Sequence, residues 1–96
     1  MRNYEVAYIA DPDLDDQALA ALDERVAGWI EAAGGKTVSV DKWGKRRMSY
    51  AIKGRNDGVY VFVTASLPAQ APSVVEREMR LQESILRYMI TVQPGA

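Results

Sequence analysis

Between Lys42 and Arg55 the chain carries six bases, Lys42, Lys45, Arg46, Arg47, Lys53 and Arg55, and no acid. Trp43 stands inside that run. Guanidinium and ammonium groups donate several charged hydrogen bonds at once, which suits phosphate oxygens, and an aromatic face can stack on an unpaired base. The stretch Lys42-Trp43-Gly44-Lys45-Arg46-Arg47 is therefore a candidate RNA-facing patch, with Lys45, Arg46 and Arg47 at its centre. Its plainer alternative is a solvated charged edge that keeps a strand from aggregating.

Other chemistry is limited by what the chain lacks. It has neither histidine nor cysteine, which removes the commonest nucleophile, general base and transition-metal ligands. No catalytic centre, cofactor or metal site is expected. Asp11, Asp13, Asp15 and Asp16 resemble a calcium loop only superficially, because Asp16 and Leu22 stand where that loop needs glycine and glutamate. Helix capping is the better use for them. The first half is acidic where the middle is basic: from Asp11 to Glu31 there are seven acids against Arg25 alone. A net charge of -1 hides a chain able to show a basic surface to a polyanion and an acidic side to water or to a basic partner.

These residues need elements to position them. Asn3 to Ala10 alternates, with Tyr4, Val6 and Tyr8 on one face, and reads as a strand. Asp13 or Asp15 then caps a helix with Leu19, Leu22, Val26 and Ile30 as its apolar stripe, ended by Gly34-Gly35. Lys36 to Lys53 reads as one long strand bent near Trp43-Gly44, where a glycine inside a period-two pattern suggests a bulge. The stretch from Gly54 to Gly58 has the composition of a tight connection, and Val59 to Leu67 follows as a strand. Pro72 opens a second helix with Val75, Met79 and Gln82 inward, and Ile85 to Val92 is a last strand.

The predicted order βαββαβ is an α+β, ferredoxin-like sandwich: four antiparallel strands with both helices on one face. One domain spans residues 1–92, and 93–96 form a short tail. No apolar run approaches the roughly 20 residues of a membrane helix, and no signal region opens the chain. In the third strand Tyr60 and Phe62 share a face opposite Val61, Val63 and Leu67. If the aliphatics pack under the helices, the rings stand uncovered and await a base or a partner protein. Arg2, Tyr4 and Arg87 lie on the two chain-end strands, which neighbouring strands would bring together.

The residues Met1-Arg2-Asn3-Tyr4-Glu5-Val6, Pro12-Asp13-Leu14-Asp15, Gly44 to Ile52, Gly58-Val59-Tyr60, Leu67-Pro68 and Leu86-Arg87-Tyr88-Met89 together resemble the family of ribosomal protein six of the bacterial small subunit. The resemblance covers about Met1 to Val92. It implies the same fold, a structural role in the cytoplasmic small ribosomal subunit, binding to the central domain of small-subunit ribosomal RNA, and a heterodimer with ribosomal protein eighteen. It also implies that Arg2, Tyr4, Arg46, Arg47, Tyr60 and Arg87 lie at RNA or partner surfaces. Ala51 departs from the family's usual proline, and the charged C-terminal extension of many members is nearly absent, so tail contacts are unsupported here.

Two other classes share the predicted fold. An RNA-recognition module is echoed by Gly58 to Val63, but Asp57 and Val61 stand where its signature wants a base and a small residue. An acylphosphatase-type hydrolase needs a catalytic asparagine and a phosphate-cradling loop, and neither Asn3 nor Asn56 lies in a glycine-rich loop opening a helix.

Overall fold

The computed structural model describes residues 1–94; Gly95 and Ala96 of the expected tail lie outside the described residues. The elements follow in the order β1 (Arg2–Ala10), α1 (Asp16–Ala32), β2 (Lys36–Ile52), β3 (Arg55–Leu67), α2 (Ala71–Leu81) and β4 (Ile85–Val92). The strands pair antiparallel as one sheet, β2-β3-β1-β4, and this is the expected ferredoxin-like α+β fold.

Strand alternation and helical periodicity meet in one core. Val6, Tyr8 and Ala10 of β1 and Val61, Val63, Ala65 and Leu67 of β3 are buried against Leu22, Val26 and Ile30 of α1 and Ala71, Val75 and Met79 of α2. The helix residues recur every four positions, so each helix offers a single stripe, and both stripes settle on the same side of the sheet. Each buried Val, Leu, Ile or Met contributes about 1.5–3 kcal/mol by leaving water. The opposite side of the sheet has no helix. Among the described residues no helix is long and apolar enough to cross a membrane.

Of the two capping candidates, Asp15 does the work: its carboxylate accepts the Ala18 N–H at 2.8 Å. Asp13 instead donates its own N–H to the Asp11 side chain at 2.9 Å, which turns the chain into the helix. Pro72 sits in the first turn of α2, where its missing N–H has no partner to lose.

The β2–β3 hairpin differs from the sequence reading at its tip. β3 begins at Arg55 rather than Val59, and the residues Asn56-Asp57-Gly58 that look like a turn are paired strand. The turn is Lys53-Gly54, with φ of 50° and 79°. Two positive φ values in succession give the twist that a two-residue hairpin requires. A lysine in the left-handed region carries no compositional mark, whereas the polar Asn-Asp-Gly string does, so composition placed the turn too late. The expected bend at Trp43-Gly44 is present as a register shift between Lys42 and Gly44, and a second shift lies between Thr37 and Ser39.

Candidate nucleic-acid interface

In an antiparallel sheet, residues directly opposite one another share a face, so the register arranges the bare side in rows. One row runs Asp41, Phe62, Ala7, Met89, and the next runs Gly44, Tyr60, Ile9, Arg87. On the other flank the row is Ser39, Thr64, Glu5, Thr91. Tyr60 and Phe62 therefore stand on the uncovered face while Val61 and Val63 pack beneath the helices. Tyr60, Phe62, Met89 and Arg87 border a depression of ≈ 190 Å³ floored by Ala7 and Ile9. The bulge at Trp43 swings that ring onto the same face, its centroid 4.6 Å from that of Phe62 at an interplanar angle of 49°. The indole N–H donates to Asp41 at 3.0 Å, which holds the ring at its edge.

The cations divide. Lys42, opposite Val61, turns to the helix side and pairs with Asp23 of α1 at 2.9 Å. Asp23 also accepts the Tyr8 hydroxyl at 2.6 Å, so β1, α1 and β2 are joined by one polar chain. Burial above all, and then the hydrogen bond and negative charge of Asp23, push the Tyr8 hydroxyl far above its ordinary range and keep it a donor. At the tip, Arg55 pairs with Asp11 at 3.3 Å and with Asp13 at 3.0 Å. Lys53 donates to the Ile85 carbonyl at 3.4 Å.

Lys45, Arg46 and Arg47 are left exposed, with no carboxylate partner among the described residues. Arg46 lies opposite Gly58 and shares the aromatic face. Lys45 and Arg47 lie opposite Val59 and Asp57, on the other face of the hairpin. Their spread over both sides of one ribbon suits a strand that inserts between phosphates better than one laid flat on them.

The expected meeting of Arg2, Tyr4 and Arg87 does not occur. Tyr4 lies opposite Ala65 and Val92, half-buried against the core, and Arg2 lies opposite Leu67, exposed at the start of β1. Arg87 lies opposite Ile9, at the other end of β1 and on the bare face. The reason is direction and parity: β4 runs antiparallel to β1, so its early residues meet late ones, and even and odd positions of β1 face opposite ways. Arg87 thus joins Tyr60, Phe62 and Arg46, while Arg2 and Tyr4 do not.

Tyr50 takes the place beside Arg87 that Tyr4 was expected to hold. Its hydroxyl accepts a hydrogen bond from the Arg87 guanidinium, although β2 and β4 are the two outer strands of the sheet. The contact arises because the pairing of β2 with β3 is interrupted between Arg47 and Ile52, letting residues 48–51 leave the ribbon. Met48 is buried there, over Gly58 and Ile9. Gly58 is needed for that approach, since a Cβ would lie inside the contact radius of Ile9. The period of two through Met48, Tyr50 and Ile52 marks a strand face, and nothing in it signals reach across a whole sheet.

The comparisons with known proteins agree with this geometry. A family model described as Ribosomal protein S6 matches residues 3–92. The small ribosomal subunit protein bS6 of Desulfitobacterium hafniense is 36% identical over 91 residues, covering 95% of this chain and 96% of its own. That of Syntrophobacter fumaroxidans is 41% identical over 93 residues, covering 97% of this chain and 63% of its own. The crystal structure of 30S ribosomal protein S6 from Thermotoga maritima superposes with a TM-score of 0.91 at 29% identity, over 96% of this chain and 87% of that one. Since the family match takes in every strand and helix, and full-length relatives share more than a third of their residues with it, the chain belongs to the ribosomal protein S6 family.

Proposed function

We propose that this chain is a structural constituent of the small ribosomal subunit that binds the central domain of small-subunit ribosomal RNA together with ribosomal protein eighteen. Family membership makes it a ribosomal protein of the cytoplasmic small subunit and not an enzyme. The observation that carries the RNA-binding reading is the bare sheet face, where Trp43, Phe62 and Tyr60 lie between Arg46 and Arg87. Rings without cover offer stacking surfaces, and guanidinium groups at their margin offer charged donors to phosphate. The partner protein belongs to the reading through the family resemblance, and the apolar depression between Phe62 and Met89 suits a protein side chain. In this assignment Arg46, Arg87, Tyr60 and Phe62 act from the open face and Lys45 and Arg47 from the back of the hairpin. Arg2 and Tyr4 lie apart from both.

Binding is expected to be weak for the chain alone, stronger with ribosomal protein eighteen, and steeply salt-dependent. Replacing Arg46 and Arg47 by alanine should reduce the slope of log affinity against log salt by up to about 2 if both touch phosphates. Filter binding to the central-domain RNA across a salt series measures it, and an unchanged affinity and slope would remove both residues from the interface. Capture of dispersed messenger RNA in place of ribosomal particles by the tagged chain would favour the RNA-recognition module, which also displays aromatics from its third strand.

A further inference from the structure

We propose that Tyr50 is a positioning residue of this interface, fixing the Arg87 guanidinium so that its remaining donors meet an RNA phosphate. The inference rests on the RNA-binding reading above. Arg87 is exposed on β4 and has no carboxylate partner among the described residues. Its one recorded side-chain bond runs from Nη1 to the Tyr50 hydroxyl. A guanidinium has five N–H donors, so one bond to a phenol leaves the others available.

The identity of the acceptor matters. Arg55, at the same end of the molecule, is held by Asp11 and Asp13, and those carboxylates neutralise it. A phenol is uncharged at neutral pH, so Tyr50 orients Arg87 without consuming its charge. A polyanion approaching this end therefore meets a full positive charge already held in one direction.

Core packing does not account for Tyr50, whose residue remains 61% exposed. The tip is nevertheless built to deliver it. Residues 48–51 leave the ribbon, Met48 seats on Gly58 and Ile9, Arg55 ties the tip to the Asp11 loop, and Lys53 reaches the carbonyl that begins β4. Each of these holds the tip toward β4, and Tyr50 is the side chain that arrives at Arg87.

The test uses the full chain with ribosomal protein eighteen and the central-domain RNA, comparing Tyr50→Phe, Arg87→Ala and the double variant across a salt series. Arg87→Ala should weaken binding and flatten the salt slope by about 1, as expected for one lost phosphate contact. Tyr50→Phe keeps the ring and removes the acceptor, so binding should weaken about 2- to 10-fold, the effect of having to order one long side chain on association. Its salt slope and thermal midpoint should stay at the wild-type values. In the Arg87→Ala background Tyr50→Phe should have no further effect. Wild-type affinity for Tyr50→Phe, or the same fold loss with and without Arg87, would overturn the proposal and leave the RNA-binding reading standing. Failure of the wild-type pair to bind the RNA would overturn both.

Discussion

Tyr8 shows how a single residue couples pH to the fold. Its hydroxyl donates to Asp23, and its ionisation is displaced upward by burial and by that neighbour. In the unfolded chain it ionises near about pH 10. The folded state thus holds the proton more tightly, and the stabilisation is complete below that pH and shrinks as pH rises, by about 1.4 kcal/mol per unit. Alkaline unfolding should accordingly steepen above about pH 10, and Tyr8→Phe should remove this contribution while costing about 1–2 kcal/mol at neutral pH for the lost bond to a charged acceptor. Urea melts over a pH series give both numbers, and an identical alkaline limb in the two proteins would contradict the assignment. At this scale the sequence was legible where faces alternate without interruption. Val61 and Val63 against Tyr60 and Phe62 divided as the period of two required. The position of Tyr4 was misread because pairing two chain-end strands says nothing about which ends meet.

At the scale of elements, the hairpin is the part whose form the sequence only half disclosed. Gly44 announced the bulge, yet the turn fell at Lys53-Gly54, and the reach of Tyr50 to β4 depends on contacts from four separate segments. Gly58 is the position on which that reach can be tested without touching RNA. Its missing side chain admits Ile9 and Met48, so Gly58→Ala should overpack the joint and cost about 1–3 kcal/mol, read as a lower urea midpoint. The same variant should loosen the tip enough to raise hydrogen exchange at residues 48–55 while the amides of α1 and α2 keep their protection. Uniform loss of protection would mean that the tip is not a separable unit. The helices, by contrast, were readable almost in full, since a stripe every four residues and a capping aspartate are local signals.

Across the whole molecule, the acidic and basic blocks do not remain apart. Asp23 meets Lys42, and Asp11 and Asp13 meet Arg55, so folding cancels part of the polarity that the linear charge count suggests. What survives is a smaller cationic group at Lys45, Arg46 and Arg47, and this is why counting charges along the chain overstated the basic surface. The two ends of the chain also meet, with Tyr4 opposite Val92 and the Gln93 N–H donating to the Asn3 carbonyl at 2.9 Å. Removing residues 93–96 takes away that one exposed bond and should lower stability by less than about 1.5 kcal/mol, measured by chemical denaturation. A larger fall would show that the tail packs on the fold. The extra residue at Trp43 has a consequence for all that lies beyond it, because each residue added to or taken from one strand of a ribbon exchanges its two sides from there to the tip. Deleting Trp43 would turn Lys45 and Arg47 to the front and send Arg46 to the back. The same letters, moved by one place, would print the mirror image of the present charge pattern.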